Sequence, residues 1–151
     1  MKRVTLLVTV ALMLAAAMAL SGVAQAAQGG KADAQCKKLA RQTLPNFKPA
    51  HYTFHGGTEG GDSFTGQATE GPDVFCGFGN GEGIGDVDSI TTLDEGDIFL
   101  GGAGRDLVDI NNGTFYGQEG DDVVVISNNG TFVGGEGIDT VGSGNPPVDG
   151  P

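Results

Sequence analysis

A six-residue loop recurs along the second half of the chain. It follows the pattern Gly-Gly-x-Gly-x-Asp, with glutamine as the second residue of one copy, and the three best copies occupy residues 101–106, 117–122 and 134–139. Two positions after each loop stands an apolar residue, namely Val108, Val124 and Val141. Looser copies occupy residues 57–62 and 83–88. Because such a unit can bury its apolar residue only against neighbouring units, the periodicity predicts a solenoid of short strands joined by glycine turns.

The turns fall into two alternating columns. The aspartates that end the first column are spaced by 18, 16 and 17 residues: Asp88, Asp106, Asp122 and Asp139. The second column holds tighter turns at Glu70-Gly71, Glu95-Gly96, Asn112-Gly113 and Asn129-Gly130. The sequence Asn-Asn-Gly-Thr-Phe occurs at 111–115 and again at 128–132, which indicates a coil of 17 residues. Asn-Gly favours the positive φ that a sharp turn requires.

Alternation along the strands predicts a thin core between two ladders of side chains. One ladder is aromatic and consists of Phe75, Phe99, Phe115 and Phe132. The other is aliphatic and consists of Ile90, Val108, Val124 and Val141. The stretch Gly77–Gly85 interrupts the period, so one coil is expected to carry an insertion.

Charge is divided along the chain. Residues 27–51 carry five basic residues and one acid, whereas residues 52–151 carry 18 acids and a single base, Arg105. The acidic part would repel nucleic acid and anionic membrane surfaces, and its compact form needs counterions. Residues 52–151 also contain 25 glycines, whose regular spacing favours an ordered repeat over a flexible linker.

The loops resemble the haemolysin-type, or RTX, calcium-binding repeat over residues 56–142. The resemblance implies a parallel β-roll with Ca²⁺ between successive coils. It implies side-chain ligands at Asp106, Asp122 and Asp139, with Asp88 extending the column. It also implies carbonyl ligands from Gly101, Gly102, Gly104, Gly117, Gly120, Gly134, Gly135 and Gly137. Oxygen ligands and flexible geometry are what Ca²⁺ prefers. The alternative is that these aspartates are solvated turn residues.

The sequence departs from the family pattern in its second column. RTX rolls carry ion sites on both edges, but here Thr114 and Thr131 stand where an aspartate would be wanted, so calcium at that edge stays open. Asp86 and Asp121 are possible auxiliary carboxylates of the first column. Asp62, Asp73 and Asp97 are weaker candidates for local calcium ligands at this second edge. No protease, lipase or pore-forming segment accompanies the repeats, and no nucleophile motif occurs, so we do not expect an enzyme.

The N-terminus has the features of a secretory signal peptide. Lys2 and Arg3 precede an apolar run at residues 4–20, and Ala24-Gln25-Ala26 forms a small-residue cleavage site. A membrane anchor is the alternative, although the 17-residue run is at the lower limit for a span. The predicted organisation is a signal peptide (1–26), a leader and N-terminal cap (27–55), the repeat domain (56–142) and a flexible tail (143–151). Residues 36–43 are predicted to form a short basic helix that ends before Pro45.

Cys36 and Cys76 are the only cysteines, and in an exported chain they predict a disulfide between the leader and the roll, with two free thiols as the alternative. His51 and His55 lie on a segment that reads as a strand, where residues four apart are too distant for easy metal chelation. We therefore expect these histidines to be structural or exposed.

These observations predict an all-β fold: a small right-handed parallel β-roll of about four coils of 16–18 residues with a short N-terminal capping segment. The predicted function is secreted calcium binding that is coupled to folding. One alternative is a calcium-stiffened structural or adhesive module, although the sequence shows no exposed aromatic stripe. A polysaccharide-active enzyme is a weaker alternative. No nucleic acid partner and no membrane insertion of the mature chain are expected, and the sequence names no protein or glycan partner.

Overall fold

A computed structural model describes residues 30–78 and 86–149. Residues 30–43 form helix α1, and Pro49–His51 form a single 3₁₀ turn. The strands that follow are β1 (Thr53–Gly56), β2 (Asp73–Cys76), β3 (Ser89–Leu93), β4 (Ile98–Ala103), β5 (Leu107–Asn111), β6 (Thr114–Glu119), β7 (Val123–Asn128), β8 (Thr131–Glu136) and β9 (Thr140–Val141). The predicted signal peptide, and most of the predicted insertion at Gly77–Gly85, lie outside the described residues.

The strands form two parallel sheets that face each other. Sheet A has the order β1-β2-β4-β6-β8, and sheet B has the order β3-β5-β7-β9. Because the chain alternates between the sheets, successive strands build a β-solenoid, which confirms the predicted all-β parallel roll. It has about five turns rather than four, since Thr53–Gly56 and the loop after it form an additional first coil. This strand lies within the segment that was predicted to be leader.

The unequal coil lengths have local causes. From Leu93 to Asp97 the second turn spans two more residues than the tight turn from Asn111 to Gly113, which accounts for the 18-residue coil. Strand β7 contains a bulge, because its register against β5 shifts by one residue after Val124. The bulge accommodates the additional residue of the 17-residue coil without moving the next loop out of column.

The core confirms both predicted ladders. The four phenylalanines and the first three aliphatic residues are buried in one cluster, and Val141 packs against it at the C-terminal end. Ring centroids lie 5.1 Å apart for Phe99 and Phe115, and 4.7 Å apart for Phe115 and Phe132, with nearly parallel planes. In the first coil His55 takes the phenylalanine position and stacks on Phe75 at 4.8 Å.

Helix α1 packs on the outer face of sheet A. Its buried residues form a second cluster with the outward side chains of the sheet: Cys36, Ala40, Leu44, Val74, Cys76, Ile98 and Leu100. A disulfide joins Cys36 to Cys76, as predicted, and fastens the helix to β2. The helix is longer than the predicted 36–43, because it already includes residue 30. Lys31, Ala32, Ala34 and Gln35, which are residue types that favour helices, extend it toward the N-terminus.

The C-terminal segment differs from the predicted flexible tail. Asn145 and Val148 donate backbone hydrogen bonds to the carbonyls of Asn128 and Phe132, at 2.8 Å each. Val148 also forms an isolated parallel bridge with Val133. Residues 143–149 therefore pair with the last full coil and cover part of its open edge, where unpaired strand groups would otherwise face solvent. No helix in the described part of the chain is both long and apolar enough to cross a membrane.

Candidate metal site in the aspartate loops

Positive φ angles shape the loops of the first column. The second and fourth positions adopt them at Gly102, Gly104, Gly120, Gly135 and Gly137. Only glycine enters this region without steric cost, which explains the spacing of the motif. Gln118 occupies the second position of its loop and still adopts φ of 82°, so this coil keeps the loop geometry at a conformational cost.

The aspartates that end the loops form a continuous column of hydrogen bonds, called the aspartate ladder below. Its members are Asp62, Asp88, Asp106, Asp122 and Asp139. From Asp88 onward, Oδ1 of each carboxylate accepts the backbone N–H of the aspartate one coil earlier, at distances of 2.7, 2.9, 2.8 and 3.1 Å along the ladder. The side chains therefore point into the coil and join successive turns, and the three middle ones are almost completely buried.

The first glycine of each loop makes room for the carboxylate. A Cβ atom on Gly101 would collide with Asp106 Oδ2, and the same holds for Gly117 and Asp122 and for Gly134 with Asp139. For Gly101 and Gly117, the carbonyl oxygen of the first glycine in the next coil also lies against this position. Two kinds of oxygen, a carboxylate and a carbonyl, thus converge at a place that only glycine leaves free.

Two of these carboxylates are incompletely satisfied. Oδ2 of Asp106 and Oδ2 of Asp122 are buried and have no hydrogen-bond partner. Burial raises the pKa of Asp106 to about 8 and that of Asp122 to about 7, while amide hydrogen bonds oppose the rise and neighbouring carboxylates add to it. Burial likewise raises the pKa of Asp88 to about 6. The ladder therefore favours either a proton or a cation beside these oxygens.

Calcium fits this donor set. Among residues 30–78 and 86–149, no three side chains of His, Cys, Asp or Glu gather into a metal cluster. A cation in the loops would therefore bind one or two carboxylates and complete its shell with backbone carbonyls. Such an oxygen-only, partly main-chain shell suits Ca²⁺, whereas Zn²⁺ prefers nitrogen and sulfur ligands. The unpartnered oxygens of Asp106 and Asp122 are the atoms that lack a positive partner.

The remaining glycines predicted as ligands stack in register. The carbonyl of Gly104 lies against the Cα of Gly120, and the carbonyl of Gly120 lies against the Cα of Gly137. The carbonyl of Gln118 faces Gly135 in the same way. The structure therefore brings the predicted loop residues together between successive coils. Asp86 contributes its carbonyl against Gly104, so the stack extends one coil toward the N-terminus.

The weaker candidates have partners of their own. Asp62 Oδ2 accepts both the N–H and the hydroxyl of Thr58, and Asp73 accepts the corresponding groups of Thr69. Asp121 Oδ1, which is exposed, accepts the N–H of Ile138 at 2.8 Å. Asp62 and Asp73 thus complete local turns, and Asp121 links two successive coils.

The second column is held by amides rather than by a series of aspartates. Asn111 Nδ2 donates to Asn128 Oδ1 at 2.7 Å, and Asn128 Nδ2 donates to the Asn145 carbonyl at 2.8 Å. Both buried asparagines were missed as interior residues, although the repeated Asn-Asn-Gly sequence marked their positions. The register also places Gly113, rather than Thr114, at the level of Asp97. An asparagine column needs no metal to neutralise it.

In the first coils, His55 and the buried Asp73 form a pair that the sequence did not indicate. His55 Nε2 lies 3.0 Å from Asp73 Oδ1, and the Asp73 N–H donates to Asp97 Oδ1 at 2.9 Å. Burial raises the pKa of Asp97. His51, the other candidate of this segment, is exposed and lies in the 3₁₀ turn. The two histidines therefore do not form a metal pair.

The fold and the site define a disulfide-fastened parallel β-solenoid with a buried aspartate column along one edge. Comparisons with protein-family models, curated proteins and solved structures find no match for this chain.

Proposed function

We propose that this protein is an exported calcium-binding solenoid that binds Ca²⁺ between the loops of the aspartate ladder. The observation that carries the proposal is the pair of buried, unpartnered carboxylate oxygens on Asp106 and Asp122. They stand beside glycine carbonyls in a space that side chains cannot enter. The resemblance of the loops to RTX repeats supports the same assignment, and the predicted signal peptide would export the protein to surroundings where millimolar calcium is common.

Calcium would supply the positive charge that the fold lacks. The side-chain ligands would be Asp88, Asp106, Asp122 and Asp139, and the carbonyl ligands would come from the loop glycines. Residues 52–151 carry 18 acids against one base, so ion binding would also relieve repulsion over the whole solenoid. The asparagine edge would remain free of metal.

A calcium titration tests the proposal. The protein is first treated with a chelator, and far-ultraviolet circular dichroism is recorded as calcium is added, with magnesium in a parallel series. We expect a saturable, calcium-specific gain of β signal, with a midpoint on the order of 10⁻⁴–10⁻³ M as in extracellular calcium modules. Isothermal calorimetry on the same samples counts the ions and detects binding even where the apo protein is already folded.

A pair of variants separates specific binding from general charge screening. Asp106→Asn with Asp122→Asn removes the two unpartnered carboxylates, whereas Asp94→Asn with Asp109→Asn removes the same charge from less buried positions outside the aspartate loops. The proposal requires loss of binding in the first pair and near-normal binding in the second. Equal affinities in both, or a calorimetric baseline with no calcium heat in the parent protein, would leave the ladder as a purely structural column.

A further inference from the structure

A groove opens beside helix α1, on the outer face of sheet A. It has a volume of about 460 Å³. Its aromatic walls are Phe47, Tyr52 and Tyr116, and Asn46, Lys48 and His51 add polar groups. Phe47 and Tyr52 pack against each other with ring centroids 4.9 Å apart. None of these residues belongs to the aspartate ladder, so the groove is separate from the proposed calcium site. We call it the aromatic groove.

The aromatic walls combine apolar surface with polar edges. Phe47, Tyr52 and Tyr116 are each half-buried, which leaves part of every ring accessible from the groove. Tyrosine offers an apolar ring together with a hydroxyl that donates and accepts hydrogen bonds. A groove of this volume, with aromatic walls and a few polar groups, has the usual composition of a small-molecule site. The sequence did not indicate it, because Tyr116 is more than sixty residues from Tyr52.

Lys48 and His51 give the groove basic side chains although the protein as a whole is acidic. In the described part of the chain, every lysine and arginine except Arg105 lies between residues 31 and 48. Lys48 lines the groove and is exposed, as is His51. Helix α1 carries the other four basic residues of this segment and ends at residue 43, directly before the groove residues 44–48. In this groove a ligand would therefore meet both aromatic rings and basic side chains.

These features favour an anionic sugar over other anions. A pyranose ring has apolar faces that match aromatic walls and hydroxyl edges that match tyrosine and asparagine, and its carboxylate would pair with Lys48. Nucleic acid is disfavoured, because its dense phosphate charge would be repelled by the acidic solenoid next to the groove. A single carboxylate per sugar ring carries less charge, so a local basic edge is sufficient for it.

We propose that the aromatic groove binds a uronic-acid-containing oligosaccharide, with Tyr52 and Tyr116 against the sugar rings and Lys48 on the carboxylate. The site is independent of the calcium ladder, and it would give the solenoid an attachment point on acidic extracellular polysaccharide. Binding would be weak for one sugar and would increase with each ring that the groove accommodates.

The chain contains two tyrosines and no tryptophan, and both tyrosines line the groove. Intrinsic tyrosine fluorescence therefore reports on the groove alone. The protein is titrated with a galacturonic acid tetramer, and with its fully methyl-esterified form as the uncharged counterpart, at one fixed calcium concentration. We expect saturable quenching by the acid form, and at least tenfold weaker binding of the ester.

Two charge-matched variants decide whether the groove is responsible. Lys48→Gln should weaken binding of the tetramer about tenfold, whereas Lys31→Gln, a residue that is exposed but outside the groove, should change it less than twofold. Tyr52→Phe keeps the aromatic ring and removes one hydroxyl, so binding within about threefold of the parent is expected if ring stacking dominates. Both lysines are exposed, so their replacement does not disturb the core.

Each alternative result overturns the proposal. Equal weakening by Lys48→Gln and Lys31→Gln would mean diffuse charge attraction without a site. Equal affinity for the acid and the ester would mean that the carboxylate plays no role in binding. Tighter binding of a polyphosphate, weakened by Lys48→Gln but not by Lys31→Gln, would identify a phosphate ligand instead of the sugar. Quenching that follows protein concentration, with dimers in sedimentation velocity, would identify a second copy of the chain as the occupant. No quenching at millimolar tetramer would leave the groove without this ligand.

Discussion

Replacing Asp106 by asparagine separates the structural role of this side chain from a metal-binding role. Asparagine keeps an Oδ1 atom that can accept the Asp88 N–H, which is 2.9 Å away in the parent protein. It removes the negative charge and places an amide where the unpartnered Oδ2 stood. The amide can donate toward the Gly117 carbonyl, which borders the same space. The substitution therefore preserves the ladder while it eliminates the candidate charged ligand.

The expected magnitude follows from the raised pKa. In the metal-free fold the pKa of Asp106 is about 8, against an ordinary value of 3.8, and each unit corresponds to about 1.4 kcal/mol. The full shift is about 5–6 kcal/mol, and local relaxation and water entry reduce it, so we expect roughly 2–5 kcal/mol. At pH 8 without metal, Asp106→Asn should therefore raise the free energy of unfolding. With saturating calcium it should lower that free energy relative to the parent, because the ion loses a charged ligand.

Urea denaturation at pH 8, followed by circular dichroism in chelator and again in calcium, measures both changes. Asp109→Asn is the matched control, since it removes the same charge from β5 without altering the ladder. The prediction is a reversal of sign between the two conditions for Asp106→Asn and no reversal for the control. If Asp106→Asn destabilises the protein by the same amount with and without calcium, the carboxylate acts as a structural acceptor and the metal-binding argument fails.

Three further predictions concern pH, glycine and the disulfide. Burial raises the pKa of the ladder aspartates, so their contribution to metal-free stability is fully present below about pH 4 and is lost as pH rises through 6 to 8. Urea midpoints measured in chelator should therefore fall as the pH rises, and calcium affinity should rise. A flat pH profile would contradict the assigned burial. Gly117→Ala should cost about 1–3 kcal/mol of unfolding free energy with or without calcium, because its Cβ would collide with Asp122. Gly60→Ala is the control, since Gly60 faces open space, and it should change stability by less than about 0.5 kcal/mol. Similar melting temperatures for the two variants would refute the steric account. Replacing Cys36 and Cys76 by serine should lower the free energy of unfolding by up to about 4 kcal/mol, as expected for a loop closed across 40 residues. Calorimetry should still detect calcium binding at the ladder. Loss of that binding would show that the helix and the loops are coupled.

The repeat was readable from the sequence because its physical causes are local. A glycine at a fixed offset from an aspartate sets the loop, and the apolar residue two positions later sets which face of the strand is buried. Phe99, Phe115 and Phe132 could thus be placed in one ladder without knowing any contact between them. The same periodicity identified the aspartates of the candidate site, since stacking brings residues of equal phase together.

Other features depended on contacts that no periodicity encodes. Asn111 and Asn128 looked like ordinary turn residues, yet both are buried. Their side chains stand in tight turns, where the first full coil has the longer turn from Leu93 to Asp97, and they hydrogen-bond across coils. His55 was read as structural or exposed, and only the register of β1 against β2 places it at the end of the phenylalanine ladder. Non-repeating residues have no equivalent in the next coil, so their positions follow from packing alone.

Sequence by itself determined the coil, its two ladders and the column of aspartates, because each repeat carries all the residues that its own turn and strand require. Only the tertiary structure decided that helix α1 lies along the outer face of sheet A, and that residues 143–149 pair with the last coil. It also decided which carboxylate oxygens find a partner: Oδ2 of Asp62 does, and Oδ2 of Asp106 does not. The physical reason is that partner choice and burial are set by neighbouring coils and by non-repeating segments, which approach one another only when the chain has folded.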